Sequence, residues 1–213
     1  MPDTSLTHIT LVLDRSGSMQ SVRDDAIGGF NAFIEQQRKV AGRATLTLVQ
    51  FDDIFEEVFK GKPIAEVPML DDDSFIPRGS TALYDAVGKS AAETLEYVQG
   101  LDEEERPASV IVAVLTDGQE NASKEYSHKQ VRSVVDQFNA KPGWEILFLA
   151  ADMAVVRDAQ RMGMAGKGSR LYDASKGGTR AAFEVISSRV TMVRSVASPP
   201  PPEDEDDPGS KGD

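Results

Sequence analysis

The chain contains no cysteine, a single tryptophan and only two histidines. Without thiols there are no disulfides, no thiolate zinc or iron–sulfur sites and no cysteine nucleophile. That usage fits a reducing compartment, and a cytoplasmic location is expected. Positive charge is also scarce. Lys and Arg number 23 against 35 Asp and Glu, for a net charge of −12. Binding to a phosphate backbone needs clustered Lys and Arg, so nucleic acid is not an expected partner. No apolar run approaches the roughly 20 residues of a membrane span, which argues against a membrane role. The opening Met1-Pro2-Asp3-Thr4-Ser5 has neither a basic nor a long apolar region, so no secretion signal is expected. Histidine chemistry is thin as well. His8 is expected before the first strand, roughly 20 Å from Asp14 at ~3.3 Å per residue. His128 falls in the first turn of a helix, where exposure is expected. What is present, 40% apolar and 27% charged residues, describes an ordinary soluble globular protein. The 213 residues suffice for one domain of about 190 residues with a buried core, plus a tail.

Hydrophobic periodicity predicts alternating strands and helices. The continuous apolar runs at 9–13, 110–116 and 144–150 are typical of strands buried on both faces. Residues 44–51 alternate as a strand, and 54–59 reads as its antiparallel hairpin partner at one edge. A last strand is expected at 170–174. Helical spacing marks 19–40, 81–100, 127–140, 155–162 and 179–196, with 60–80 left as a loop rich in Pro, Gly and Asp. Such alternation predicts an α/β fold with a doubly wound, mostly parallel sheet of about six strands and helices on both faces.

Asp14-Arg15-Ser16-Gly17-Ser18 stands where the first apolar strand ends. Ligands of open α/β sheets bind in the crevice at such carboxyl ends. A carboxylate and two hydroxyls on alternating positions suit a hard divalent cation, which prefers oxygen ligands. Alone the fragment is weak, since D-x-S-x-S arises by chance in roughly one chain of this size in twenty. Two further loops strengthen it. Thr116-Asp117-Gly118 ends the second central strand, and Pro77-Arg78-Gly79-Ser80-Thr81 opens a helix.

Together these three loops resemble the von Willebrand factor A (VWA) domain and its metal-ion-dependent adhesion site, over about residues 9–150. The family pattern is D-x-S-x-S, a distant Thr in a Gly-Ser/Thr-Thr turn, and a strand-end T-D-G. Asp14, Ser16, Ser18, Thr81 and Asp117 fill all five positions. The resemblance implies one divalent cation, Mg²⁺ with Mn²⁺ or Ca²⁺ as alternatives. Ser16, Ser18 and Thr81 would coordinate it directly, and Asp14 and Asp117 directly or through water. It also implies a protein partner whose Asp or Glu completes the shell. Arg15 and Arg78 would either attract that acid or serve as ordinary surface charge. Gln119, Glu120 and Asn121 are expected at the rim, with Asp152 near it.

The sequence therefore predicts a VWA domain over 1–197 and a disordered, Pro-rich, acidic tail over 198–213. That tail carries −5 of the net charge, having six acids and one lysine. The favoured function is a monomeric, metal-dependent protein-binding module. The alternatives are a scaffolding domain whose metal is not used in recognition, and a metal-assisted hydrolase. No enzymatic activity is expected, because a lone site of this kind offers no general base and no second metal. Competing motifs fail on chemistry. Gly88-Lys89-Ser90 lacks the earlier Gly of a phosphate loop, with Leu83 in its place, and falls inside a helix. An aspartyl phosphatase needs an acid where Ser16 stands. Asp71-Asp72-Asp73 is followed by Phe75 and Ile76 where a calcium loop needs oxygen and glycine.

Overall fold

The computed structural model describes residues 3–164, 169–172 and 177–197; the proposed tail at 198–213 lies outside them. Along the chain run β1 (Asp3–Asp14), α1 (Arg23–Gln37), β2 (Arg43–Phe51), β3 (Phe55–Pro63), α2 (Leu83–Gly100), β4 (Pro107–Thr116), α3 (His128–Asn139), β5 (Trp144–Ala150), α4 (Met153–Arg161), β6 (Ser169–Leu171) and α5 (Gly178–Ala197). The strands form one six-stranded sheet in the order β3-β2-β1-β4-β5-β6. Only β3 is antiparallel to its neighbour, so the doubly wound, mostly parallel fold predicted from the sequence is present.

Strand alternation divides the core in two. Ile9, Leu11 and Leu13 of β1 and Ile111, Ala113 and Leu115 of β4 pack with α1 and α5 on one face. Val12 and Val110, Val112 and Val114 pack with α2, α3 and α4 on the other. Each fully buried side chain of this size contributes about 1.5–3 kcal/mol. Such two-sided burial explains the largely apolar runs within β1, β4 and β5. At Gly29 in α1, an added Cβ would sit 2.4 Å from the Phe183 ring of α5. The absent side chain is what lets α1 and α5 approach.

The structure corrects several expectations. The helix predicted from residue 19 begins as a 3-10 turn, Gly17–Val22, and α1 proper starts at Arg23. Met19 donates its amide to the Ser16 carbonyl at 3.0 Å, closing the tighter turn directly after the Asp14 loop. The hairpin strand runs to Pro63, so residues 60–63 are strand rather than loop. The rest of that segment carries core residues: Ile64, Val67, Leu70 and Phe75 are buried. Asn31 of α1 clasps Leu70 through both its amide and carbonyl (2.9 and 2.8 Å), holding the segment down. Of the predicted last strand, 170–172 are described; β6 covers Ser169–Leu171.

His8 does not precede β1 but lies within it, with its ring buried beside Tyr97 of α2 at 5.0 Å between centroids. Its Nδ1 lies 2.8 Å from the Thr45 hydroxyl, and Nε2 faces the hydroxyls of Thr10 and Thr47. Gly61 donates its amide to the Thr47 hydroxyl at 3.0 Å, which ties that hydroxyl to the hairpin. Burial pushes its pKa down to about 4. His128 opens α3 half-exposed, edge-on to Tyr84 and 3.6 Å from Asp158. No helix among the described residues is long and apolar enough to cross a membrane.

Candidate functional site

β1 and β4 lie side by side at the centre of the sheet, with Leu13 opposite Leu115. Their carboxyl ends therefore bring Asp14 and Thr116-Asp117 together. Asp14 is fully buried; its Oδ1 accepts from the Ser16 amide (2.6 Å) and its Oδ2 from the Thr116 hydroxyl (2.5 Å). Burial pushes the Asp14 carboxyl up to about 6, against the pull of those hydrogen bonds and with a further push from Asp117. Burial raises the half-buried Asp117 as well. Among the described residues no cationic side chain pairs with either acid.

The hydroxyls complete a continuous network. Ser16 Oγ is 3.1 Å from Ser18 Oγ, and Ser18 donates to Asp117 Oδ1 at 2.6 Å. Thr81 is buried, and its Oγ1 faces Gly118, where an added Cβ would come within 2.8 Å of it. Glycine at 118 thus leaves room for the Thr81 hydroxyl against the Asp117 loop. The first two loops are joined directly: the Gly17 amide donates to the Gly79 carbonyl (3.2 Å) and the Arg78 amide to the Arg15 carbonyl (2.8 Å). All five predicted residues are gathered at one place.

Arg15 departs from expectation, whereas Arg78 stays at the surface. Arg15 is buried, not surface charge, with Nε 3.0 Å from Asp52 and Nη1 2.7 Å from Glu56. Arg78 is exposed, and its Nε reaches the same Asp52 oxygen at 2.9 Å. Arg15 is therefore committed inside the protein. The rim residues divide. Gln119 is exposed and donates to Asp152 Oδ2 at 2.5 Å, placing Asp152 beside the site. Asn121 instead clamps Thr81, accepting its amide at 2.9 Å and donating to its carbonyl at 3.0 Å. Glu120 accepts from the Tyr84 amide at the start of α2 (2.9 Å) and from the Ala122 and Ser123 amides. Asp85 of α2 accepts three amides in turn, from Lys124, Glu125 and Tyr126, fixing the loop after Asp117.

The donor set is all oxygen, two carboxylates and three hydroxyls, which suits Mg²⁺, Mn²⁺ or Ca²⁺ and not a soft metal. No group of three or more His, Cys, Asp or Glu side chains that could hold a metal occurs among the described residues, so a shell here would draw on hydroxyl, carbonyl or water oxygens as well. A buried and a half-buried acid, without a cationic partner among the described residues, and a cradle kept open by Gly118 fit a divalent cation. Sequence reasoning passed over Thr116, Asp52 and Asp85. Thr116 sits in the quoted T-D-G motif, whereas an Asp in Phe51-Asp52-Asp53 reads only as a hairpin turn.

No protein-family model matches the chain, and no curated protein matches it. Solved structures do. A conserved hypothetical protein, BatB, from Bacteroides thetaiotaomicron aligns at a TM-score of 0.54 and 12% identity, over 88% of this chain and 98% of that one. A von Willebrand factor type A protein from Catenulispora acidiphila gives 0.56 and 12%, over 89% and 43%. The manganese-loaded TRAP protein of Plasmodium vivax gives 0.50 and 12%, over 84% and 72%. The chain thus spans nearly all of the first and less than half of the second. At these identities the likeness concerns architecture, and by that measure the chain has a VWA-type fold.

Proposed function

We propose that the chain is a divalent-metal-dependent protein-binding module. Asp14, Ser16, Ser18, Thr81 and Asp117 would hold one cation, Mg²⁺ in the first instance with Mn²⁺ or Ca²⁺ as alternatives. The observation that carries this reading is the convergence, from three loops, of three hydroxyls and two acids that have no described cationic partner. The manganese carried by the TRAP protein of similar fold is consistent with it. A bound cation would supply a Lewis-acidic position at the mouth of the sheet for the Asp or Glu of a partner.

The chain's own residues do the rest. Thr116 and the Ser16 amide aim the Asp14 carboxylate, Asn121 fixes the backbone of Thr81, and Ser18 and Asp117 face solvent. With Arg15 turned inward on Asp52 and Glu56, the partner's charge must be met chiefly by the cation. Recognition proceeds without turnover in this reading. No histidine base stands beside Ser16 or Ser18, because His8 is held by threonines in mid-strand and His128 lies on α3. The module acts as a monomer.

Affinity capture from the native cell tests this. A bound protein retained in Mg²⁺ is expected to elute with EDTA and to be absent from a Thr81→Ala column. Neutralising one carboxylate of that protein should weaken capture by about 2 kcal/mol or more, the cost of losing a desolvated charge contact. A complex indifferent to EDTA would leave the fold a scaffold whose metal takes no part in recognition.

A further inference from the structure

Asp52 is fully buried one residue beyond the end of β2, and it contributes no atom to the five-residue set. Its carboxylate nevertheless meets two of the three loops that build the set. Oδ2 accepts from Arg15 Nε (3.0 Å) and Arg78 Nε (2.9 Å), while Oδ1 accepts from the Ile54 amide (2.6 Å). Its own carbonyl accepts from the Ala82 amide at 2.8 Å. Arg15 lies between Asp14 and Ser16, Arg78 lies three residues before Thr81, and Ala82 follows Thr81. Phe51, the preceding residue, accepts the Arg15 amide at 2.8 Å.

From this geometry we infer that Asp52 is a positioning residue, pinning the Ser16–Ser18 loop and the Thr81 loop in the spacing that cation binding requires. The inference rests on the metal-centre reading above. Charge balance supports it. Two guanidiniums beside an incoming cation would repel it, and Asp52 together with Glu56 offsets both. Burial alone would raise the Asp52 carboxyl, but Arg78, the Ile54 amide and Arg15 outweigh it and hold the group below its ordinary value. Asp52 is thus a fixed anion around which both arginines are wrapped. Arg15 Nη2 is itself buried with no hydrogen-bond partner, so Arg15 is held in place chiefly by Asp52 and Glu56. Supporting groups of this kind hold ligands in place, and their loss typically lowers metal affinity by about 10–100-fold.

The test uses the full chain with Asp52→Asn, with Arg78→Gln as a milder second variant and Arg194→Met as a control. Arg194 is an equally buried guanidinium at the far end of the sheet, holding the Gln37, Val40 and Gly42 carbonyls. Hydrogen exchange in EDTA reads the loops without any metal. The amides of Gly17, Arg78 and Ala82 should exchange about tenfold faster in Asp52→Asn, less so in Arg78→Gln, and unchanged in Arg194→Met. Mn²⁺ titration should then show affinity about 10–100-fold weaker in Asp52→Asn, several-fold weaker in Arg78→Gln and unaltered in the control. Exchange in those loops equal to wild type, in whichever of the two variants folds, overturns the inference even where the wild type binds Mn²⁺ tightly. A wild-type chain that takes up no Mn²⁺ overturns the metal-centre reading itself, and is seen without any variant.

Discussion

Replacing Asp14 by alanine is expected to abolish stabilisation of the protein by Mg²⁺. Wild-type chain at about 100 times its dissociation constant should gain about 2.7 kcal/mol, because a ligand that binds only the folded state shifts the equilibrium by mass action. For a domain of this length that corresponds to roughly 5–10 °C in melting temperature. Asp14 is the most deeply buried of the two acids and is oriented by Ser16 and Thr116. Its loss removes half the anionic charge facing a cation, so affinity should fall by at least about a hundredfold, more than for a supporting residue. Melting curves in EDTA and in Mg²⁺, with isothermal titration of Mg²⁺ and Mn²⁺, give the result. The apolar core is untouched by the substitution, so the variant should still melt cooperatively. Equal affinity in the variant and wild type would refute the assignment.

Acid should cost the protein stability through His8. The group's pKa is about 4 when folded against 6.5 for the unreacted side chain, because burial disfavours the charged ring. A depressed value means the unfolded chain takes up the proton first. Above about pH 6.5 both states are neutral and nothing is lost. As pH falls from 6.5 towards 4, stability drops by about 1.4 kcal/mol per unit, roughly 3 kcal/mol in all. Both ring nitrogens lie among threonine hydroxyls, with Thr45 at Nδ1 and Thr10 and Thr47 at Nε2, and no carboxylate is hydrogen-bonded to the ring among the described residues. Glu57, Lys60 and Glu93 line the small cavity beside the ring, and Arg43 and Glu105 a neighbouring one. Urea unfolding of wild type and His8→Gln at pH 7 and pH 4 isolates the histidine. The difference between the two proteins should narrow, or turn in favour of the variant, by roughly 3 kcal/mol on acidification. A difference constant with pH would show that His8 does not carry the effect.

Much of the fold was legible because its strands are buried on both faces. Ile9–Leu13, Val110–Thr116 and Trp144–Ala150 are continuous apolar runs for the same reason that β1, β4 and β5 occupy the middle of a parallel sheet. The site was legible because its chemistry is local: Asp14, Ser16 and Ser18 share one loop, and strand pairing then places Asp117 beside them. What escaped was set by tertiary contact. His8 looks like a polar residue ahead of a strand, yet the threonines of β2 and Tyr97 of α2 make a polar pocket for it. Arg15 looks like a surface charge until Asp52, remote in sequence, draws it inward. The segment after β3 looks like loop by composition, but its four buried apolar residues are spaced irregularly and are held by side chains of α1. Periodicity cannot report contacts made without a period.

The most direct test of the central claim is anomalous diffraction from crystals of the wild-type chain equilibrated with Mn²⁺. One Mn²⁺ peak is expected at the carboxyl ends of β1 and β4. It should lie within about 2.0–2.6 Å of the hydroxyl oxygens of Ser16, Ser18 and Thr81, with Asp14 and Asp117 in contact directly or through one water. Full occupancy elsewhere on the protein, or no peak among these five residues at saturating Mn²⁺, would contradict it.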